Sequence, residues 1–467
     1  MKILFIVKSE SIQTARWISQ INDQGWEIHL FLSTYESDSI LEIKNVTIHR
    51  SVFPRVGEID QLIIFKSGRL QLNRIITFFK KIRDKINPNF RATQLKKIIE
   101  KIKPDIIHSL GFQSSGYLTL QAKQIFQGKF PIWIASNWNN DIYQFSSSQT
   151  EKFEIKKQVK ECDYYSCECK RDFSLAKEIG FEGKILPIFL NSDGFNLKEI
   201  SSWRKPLSQR DIIMIKGEFD LYDRIMVPFD ALNFCMPDIK KYKVVIYSIS
   251  DHSLIAKEAE KFQKNTGVRV KVLSQDISPQ QILKLHGKAR ISIDLSLNDA
   301  MSQSFLEALT MGSFPIQSSA TCAHEWIKNG ETGIIVPPED SRAIAKAIKR
   351  AIQEDKMIKE AIKLNWQTAQ KKLDCQLIKQ KTLDFYQMVF KNCSTPKLKI
   401  NWFKRGQNIV IEMFLIIWII FFMLASLVKF GIQGFQVLRP TGKISSKIEI
   451  IVWQANQWLE QHIWRTF

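Results

Sequence analysis

Short apolar runs alternate with helical stretches along the first 200 residues of the chain. KILFIV and WEIHLFL are continuous apolar runs, and IQTARWISQINDQG between them has apolar residues at helical spacing up to Gly25. Runs of this length are typical of strands that are buried on both faces of a parallel sheet. Further strands are predicted at PDIIHSL, FPIWIAS, DYYSCE and KILPIFL. The pattern predicts a doubly wound α/β domain over residues 1–200.

The same alternation begins again near residue 210. Strands are predicted at DIIMIKG, KVVIYSI, VRVKVLS, ARISIDLS, SFPIQSS and TGIIVPP. Helices lie between most of them, SRAIAKAIKRAIQ is clearly amphipathic, and the long helical stretch LNWQTAQKKLDCQLIKQKTLDFYQMVF closes this part. The polar segment NSDGFNLKEISSWRKPLSQR is the predicted linker. We therefore expect a second Rossmann-like domain over residues 201–392, facing the first across a cleft in which ligands bind at the carboxyl ends of the strands.

Residues 393–467 depart from this pattern. Residues 409–428 contain one charged residue, Glu412, and are long enough to cross a bilayer. Residues 446–465 begin with a capping box, Ser446 to Glu449, and continue with apolar residues at helical spacing, which predicts an amphipathic helix in the membrane interface. The C-terminal segment is therefore predicted to be a helical membrane anchor. A single span and an in-plane anchor both remain open, and basic residues at both ends leave the orientation undecided.

The charge distribution indicates an acidic partner, since the 467 residues have a formal net charge of +20. Residues 66–103 contain a dozen basic residues against two acidic ones, Asp84 and Glu100. This basic segment is either a solvated helical face or a surface for anionic lipid headgroups or an acidic acceptor. We expect an anionic membrane rather than nucleic acid as the partner, because no nucleic-acid-binding motif is present.

The seven cysteines lack the paired spacing of a zinc site, so we expect reduced thiols in a cytosolic domain and no bound metal. The N-terminal run KILFIV is too short for the hydrophobic region of a signal peptide. It is instead predicted to be the first buried strand, with the two folded domains in the cytoplasm.

Candidate chemistry concentrates in SLNDAMSQSFLEALTMG, residues 296–312, which follows the fourth strand of the second sheet. Ser304 and Glu307 have the spacing of a capping box, and Gly312 is the expected helix stop. The same helix start, at the carboxyl edge of a parallel sheet, is also suited to a phosphate. The two interpretations are compatible, because a capping side chain can yield its amide to a phosphate.

If this segment binds a phosphorylated, hydroxyl-rich ligand, its residues contact different parts of that ligand. Ser302 and Ser304 let an anion approach the backbone, and Glu307 is placed to accept hydrogen bonds from a vicinal diol such as a ribose. Asp299 is placed to reach a sugar hydroxyl on the other side of the phosphate. The candidate cations come from the first loop of this domain, IKGEFDLYDR, and are Lys216 and Arg224.

The segment from SLNDAMSQSFLEALTMG to GETGIIVPPED resembles the nucleotide-sugar region of the retaining family 4 glycosyltransferases of the GT-B fold. Their usual pattern has two glutamates separated by seven residues and a later glycine-rich segment that ends in VPP. SESIQTARWISQINDQGWEIHLF, PDIIHSLGFQSSGY and SNWNNDI are similar to their opening, their second loop and their Trp-Gly-Ser-Asp-Ile stretch. The resemblance covers most of residues 1–390.

The resemblance assigns roles to individual positions. Glu307 would bind the ribose, Asp299 would contact the transferred sugar, and the turn of Ser302, Gln303 and Ser304 would give amides to the diphosphate. The first acid is Asp rather than Glu, which shortens its reach by one methylene.

Two further departures affect the expected site. The usual cationic pair is replaced by Glu218 and Asp223, so Lys216 and Arg224 would hold the phosphates. The usual histidine of the N-terminal domain has no clear counterpart, since His108 is offset. Asn137 or Asp141 would then fill that region as catalytic-side residues.

The implied reaction is transfer of a sugar from a nucleoside diphosphate donor to a hydroxyl of a glycan or lipid-linked acceptor, with retention. It would take place at the cytosolic face of the cell inner membrane. No metal or other cofactor is expected, because donors aimed at the developing charge of the diphosphate stabilise it directly. Two alternatives remain: a nucleotide-sugar epimerase, and a membrane scaffold that keeps the GT-B fold with weakened catalysis.

Overall fold

The structure is a computed structural model. It describes residues 1–391 except 9–11, 35–43, 50–86, 88, 139–140, 146–148, 189, 191, 218–221, 250–251, 275 and 298. The predicted membrane tail and most of the basic segment lie outside the described residues, and both stay predictions. No helix among the described residues combines the length and the apolarity needed to cross a membrane.

The N-terminal half is built on a seven-stranded parallel sheet of order β3-β2-β1-β4-β5-β6-β7. The strands are β1 (Lys2–Val7), β2 (Glu27–Leu32), β3 (Val46–His49), β4 (Ile106–Leu110), β5 (Ile132–Ser136), β6 (Tyr164–Ser166) and β7 (Lys184–Ile185). Alternate residues of β1 enter different cores: Leu4 and Ile6 lie in one apolar cluster, and Ile3 and Phe5 lie in another. Both faces of the sheet are therefore covered, which explains the continuous apolar runs.

Helices connect these strands and cover the two faces. They are α1 (Ile12–Ser19), α2 (Phe90–Ile102), α3 (Tyr117–Ile125), α4 (Asp141–Phe145), α5 (Gln149–Glu161) and α6 (Lys170–Glu178), with a π-helical turn at Phe112–Gly116. The predicted strand KILPIFL is ordered as a strand only at its first two residues, β7, because Pro187 has no amide proton for the ladder. The edge strand β3 has no counterpart among the predicted strands.

The C-terminal half has a six-stranded parallel sheet of order β10-β9-β8-β11-β12-β13. Its strands are β8 (Ile212–Lys216), β9 (Lys243–Tyr247), β10 (Val270–Val272), β11 (Ala289–Asp294), β12 (Phe314–Ser318) and β13 (Ile334–Val336). A short helix, α7 (Leu197–Ile200), and two 3-10 turns, Ser201–Trp203 and Leu207–Gln209, occupy the predicted linker. The remaining elements are α8 (Tyr222–Phe234), α9 (His252–Thr266), α10 (Pro279–Lys288), α11 (Gln303–Met311), a 3-10 turn (Ala323–Glu325), α12 (Ser341–Gln353), α13 (Asp355–Lys372) and α14 (Cys375–Phe390). The two predicted Rossmann-like sheets are confirmed.

The closing helical stretch is two helices rather than one. It breaks at Leu373 and Asp374, where the Asp374 carboxylate accepts hydrogen bonds from two backbone amides and caps α14. This helix then packs on the first sheet, where the Tyr386 hydroxyl accepts a hydrogen bond of 2.7 Å from the Trp17 indole nitrogen. Helix α14 therefore completes the core of the N-terminal half, although it follows the C-terminal half in sequence.

Candidate functional site

Two residues predicted to serve the site meet at the carboxyl edge of the second sheet. Lys216 is the last residue of β8, and Asp299 lies in the loop after the neighbouring strand β11. The Lys216 ammonium donates to Asp299 Oδ2 at 2.5 Å, with the lysine side chain 7% exposed and the aspartate side chain 21% exposed. Adjacent parallel strands end at the same edge, which brings these residues together across 83 positions of sequence.

The N-terminus of α11 differs from the sequence prediction. The N-cap is Ser302 rather than Ser304, so the predicted capping box is wrong. The Ser302 hydroxyl makes no capping hydrogen bond and is buried without a partner, while Ser304 is hydrogen-bonded to the Tyr247 hydroxyl. Gly312 ends the helix in the left-handed region, at φ 79°, as predicted. An unpartnered hydroxyl beside the first amides of a helix is well placed to receive an anion.

Glu307 is buried one turn into α11. Its Oε1 accepts a hydrogen bond of 3.4 Å from the side-chain amide of Gln303. The Gln303 side chain therefore orients the Glu307 carboxyl, in addition to its place in the turn. Burial raises the pKa of Glu307 to about 7, while the charge of Arg16, the Gln303 hydrogen bond and the charge of Lys216 act in the opposite direction. Near neutral pH this carboxyl is therefore divided between its two forms, and a hydroxyl-rich ligand that donates to it would favour the ionised form.

His286 lies behind Glu307 and was not among the residues predicted from the sequence. Its Nδ1 is 2.9 Å from Ser292 Oγ, and its Nε2 is 3.7 Å from Glu307 Oε2. Burial lowers the pKa of His286 to about 3, with a smaller contribution from Arg210, so the ring is neutral and the contact with Glu307 is not an ion pair. The sequence gives no signal for the contact between His286 and Glu307. The contact exists only because α10 packs against α11.

Arg16 in α1 approaches the segment that joins the two halves. Its Nε lies 3.8 Å from the Asp193 Oδ1 atom, in the segment that joins the two halves. Among the charged groups that act on Glu307, Arg16 has the largest effect and Asp193 has a smaller opposing one. The second acid of the site is thus under the influence of residues from both halves of the chain.

The predicted catalytic-side residues lie at the carboxyl ends of β4 and β5. Asp141 begins α4, and its Oδ2 accepts a 2.8 Å hydrogen bond from the Phe112 amide. Burial raises the pKa of Asp141 to about 6, against the lowering effect of that hydrogen bond. Asn137 is fully engaged, since its amide donates to Asp172 at 2.8 Å and its carbonyl oxygen accepts from the Ile142 amide at 3.1 Å. Asn137 therefore positions α4, and Asp141 is the group with titratable chemistry.

His108 is an internal residue of β4. Its ring nitrogens lie 2.7 Å from the Tyr386 hydroxyl and 2.6 Å from Ser136 Oγ, and the residue is completely buried. Burial lowers the pKa of His108 to about 3. His108 therefore lies in the core between the first sheet and α14, which agrees with the prediction that it is offset from the usual histidine of the family.

A second contact joins the two halves at the start of α6. The Glu325 carboxylate accepts hydrogen bonds from the Lys170 and Arg171 amides, at 3.0 and 3.2 Å, and so caps α6. The sulfur atoms of Cys169 and Cys322 lie 2.6 Å apart beneath it. The thiols and the carboxylate bring possible metal ligands within 4.8 Å of one another, but both carboxylate oxygens are already engaged by amides. The six described cysteines form no disulfide in the structure.

Arg224, the second predicted cation, lies in the first turn of α8, and its side chain is outside the described residues. Its predicted phosphate role stays a prediction. The described groups are the N-terminus of α11, the Lys216 ammonium, the partly exposed Asp299 carboxylate and the buried Glu307 carboxyl, all at one edge of the second sheet. Such a set is suited to an anion joined to a diol.

Two family models match the chain. Residues 2–170 match the model described as glycosyl transferase 4-like, and residues 210–365 match the model described as glycosyl transferases group 1. Together they cover the second sheet, the first sheet except β7, and the candidate residues Asn137, Asp141, Lys216, Asp299 and Glu307. No curated protein matches the chain in sequence at a significant level.

Solved structures resemble the chain over most of its length. Sucrose-phosphate synthase from Thermosynechococcus elongatus has 16% identity and a TM-score of 0.63, with 84% of this chain and 99% of that chain covered. HepE from Anabaena in complex with UDP-glucose has 14% identity and a TM-score of 0.60, with 83% and 100% covered. Trehalose 6-phosphate synthase from Burkholderia multivorans has 12% identity and a TM-score of 0.59, with 85% and 99% covered. At these identities the likeness establishes the fold alone.

Proposed function

Because the chain belongs to the family 4-like, group 1 glycosyltransferases and has the GT-B fold, we propose that it transfers a sugar from a nucleoside diphosphate donor to an acceptor hydroxyl with retention. The observation that carries the proposal is the buried carboxyl of Glu307 in the first turns of a helix that starts at the carboxyl edge of the second sheet. A structure similar to this chain holds UDP-glucose, which supports a nucleotide-sugar donor.

On the donor side, each residue has a distinct task. The amides at Ser302, Gln303 and Ser304 take the diphosphate, with Lys216 as the described cation and Arg224 as the proposed second one. Glu307 accepts hydrogen bonds from the ribose diol. Asp299 holds a hydroxyl of the transferred sugar, and its ion pair with Lys216 keeps it beside the phosphate.

The chemical step uses the leaving diphosphate. Amides and cations aimed at the developing negative charge lower the barrier to departure without a metal ion. The bond between the anomeric carbon and the leaving phosphate oxygen breaks, and the acceptor oxygen bonds to the same carbon from the same face, which gives retention. The departing phosphate oxygen takes the proton of the acceptor hydroxyl. Asp141, with a pKa of about 6, is proposed to bind and orient the acceptor hydroxyl, and Asn137 holds α4 in place for it.

The acceptor is proposed to be a glycan or a lipid-linked saccharide at the cytosolic face of the inner membrane. The supporting observations are in the sequence: the apolar stretch at 409–428, the amphipathic stretch at 446–465 and the basic segment at 66–103. Together these would place the catalytic halves beside an anionic membrane that contains the acceptor.

The test is a donor screen followed by turnover. Full-length protein is titrated with a panel of nucleoside diphosphates and their sugars, and release of nucleoside diphosphate is then measured with membrane lipid extract. We expect one donor to bind, E307Q to lose that binding, and E331Q, an exposed acid of the same half, to retain it.

The other outcomes identify the alternatives. Donor binding without release under any acceptor condition would indicate a scaffold with weakened catalysis. Conversion of the donor to an epimeric nucleotide sugar without an acceptor would indicate an epimerase. Failure of every nucleoside diphosphate to bind would overturn the proposal.

A further inference from the structure

Cys169 and Cys322 bring two thiols from different halves of the chain into contact. Cys169 is the N-cap of α6 in the first half, and Cys322 comes directly before the 3-10 turn Ala323–Glu325 in the second half. Their sulfur atoms lie 2.6 Å apart, and both residues are completely buried. The fold therefore brings the two thiols together across 153 positions of sequence.

Two polar contacts hold the backbone on either side of Cys322. The Arg171 guanidinium donates to the Ala320 carbonyl at 2.7 Å, on one side of the cysteine in sequence. On the other side, the Glu325 carboxylate accepts hydrogen bonds from two amides in the first turn of α6. Both contacts reach the helix that Cys169 caps, so the neighbouring backbone of each half supports the approach of the two sulfur atoms.

Three other buried thiols of the described residues are used differently. Cys162, Cys167 and Cys235 donate to backbone carbonyl oxygens, at 3.5, 3.3 and 3.4 Å respectively. A thiol that donates to a carbonyl is an inert part of the core, whereas two thiols in contact are placed to form a bond. A disulfide holds its sulfur atoms about 2.05 Å apart, so Cys169 and Cys322 have to close by only about 0.6 Å.

The same two sulfur atoms are poorly placed to share a zinc ion. Zinc binds cysteine sulfur at about 2.3 Å in tetrahedral geometry, which sets two sulfur ligands roughly 3.8 Å apart. The separation of 2.6 Å is shorter than this, and the nearby Glu325 carboxylate is already held by the amides of α6. The geometry therefore favours a bond between the sulfur atoms over a metal ion between them.

We propose that Cys169 and Cys322 are an oxidation site, at which a low-molecular-weight disulfide converts the two thiols into a disulfide bond that joins the halves. One cysteine thiolate attacks the small disulfide, forms a mixed disulfide and displaces one small thiolate. The second cysteine thiolate attacks the protein sulfur of the mixed disulfide and displaces the other. The two small thiolates take up the two protons, and two electrons pass from the protein to the small disulfide.

The bond would connect the halves covalently at the start of α6, and this inference does not depend on the proposed function. Because it closes a long loop of the unfolded chain, the oxidised protein is expected to be more stable than the reduced one. In a reducing compartment a bond of this kind is transient, since the small thiols of that compartment reverse the exchange.

The experiment follows the two cysteines by peptide mapping. Reduced full-length protein is incubated with oxidised glutathione until the linked fraction no longer changes with time, since exchange at buried thiols is slow. Free thiols are then blocked with N-ethylmaleimide, and the protein is digested with trypsin. We expect the peptide 161–170 joined to the peptide 291–328, with a mass two hydrogen atoms below their sum. Incubation with excess dithiothreitol should remove the link.

Variants assign the link to the two sulfur atoms. C169S and C322S should each lose it. C167S removes the neighbouring thiol of the same peptide and C375S removes a partly exposed thiol, so these matched controls should keep the link. Oxidation should also raise the midpoint of thermal unfolding of the wild type by about 3 °C or more and leave that of C322S unchanged.

Several results would overturn the inference, and the first is read in the wild type, so it does not depend on the folding of a variant. It is recovery of both peptides with blocked or glutathione-capped cysteines at equilibrium. A link that persists in C169S, through Cys162 or Cys167, would also overturn it, as would a linked protein that is less stable than the reduced one. Zinc that is retained through dialysis of the wild type and lost in both C169S and C322S would identify a metal site instead.

Discussion

The burial of Glu307 gives a prediction in which stability and ligand binding change in opposite directions. In E307Q a neutral amide of nearly the same shape replaces the buried carboxyl and keeps the contact with Gln303. Because the pKa of Glu307 is raised in the folded protein, the folded state binds a proton more tightly than the unfolded state. Stability in the wild type therefore falls as the pH rises from the unfolded pKa through the folded one.

The magnitude follows from the pKa of Glu307. A rise from 4.5 to about 7 corresponds to about 3 kcal/mol, at about 1.4 kcal/mol for each pKa unit. At pH 8 the ligand-free E307Q protein should be more stable than the wild type by up to about 3 kcal/mol. At pH 4.5 the two should agree within about 1 kcal/mol, since both carry a neutral group there.

Urea unfolding at pH 4.5, 6 and 8, without nucleotide, measures this difference. Donor titration at pH 8 with the same preparations should show loss of nucleotide affinity in E307Q. E331Q, whose acid is exposed, should stay within about 0.5 kcal/mol of the wild type at each pH. The reasoning is refuted if the stability of E307Q relative to the wild type does not change with pH, or if E307Q binds donor normally.

Three further predictions test other parts of the site. S302A should leave the unfolding free energy unchanged or slightly higher, because the hydroxyl is buried without a partner, yet weaken UDP binding in calorimetry; a drop of about 1 kcal/mol in stability would instead show that it acts as a cap. D141N should lower kcat in the nucleotide-release assay and flatten its pH dependence near 6 while UDP affinity stays constant, and a loss of UDP affinity would contradict its acceptor-side role. Truncation after residue 395 should release the protein from membranes in a flotation assay, and continued flotation would transfer the anchoring role to the basic segment.

Residues of both halves contribute to the electrostatics of Glu307, and a separate contact joins the halves at α6. Glu307 is buried by its own half but is influenced by Arg16 and Asp193, which belong to the other half and to the joint. Glu325 reaches in the opposite direction and caps α6 of the first half.

The sequence by itself determined the layers of this protein. The lengths of the apolar runs predicted both parallel sheets, and the helical periodicity of SRAIAKAIKRAIQ predicted α12 at its observed bounds, Ser341–Gln353. The order of strand, loop and helix also predicted that Lys216, Asp299 and Glu307 would share one edge. These features are local, since the period of two or 3.6 residues is enforced by the backbone wherever one face is buried.

Only the tertiary structure decided how individual side chains are used. Ser302 rather than Ser304 is the N-cap, although both have the right chemistry; Ser304 lies within the helix and is hydrogen-bonded to the Tyr247 hydroxyl. His286 stands behind Glu307, and Arg16 approaches Asp193 across 177 positions of sequence, through contacts that no local pattern encodes. Such pairs form because separate elements are packed against one another, and the sequence specifies that packing only through the whole fold.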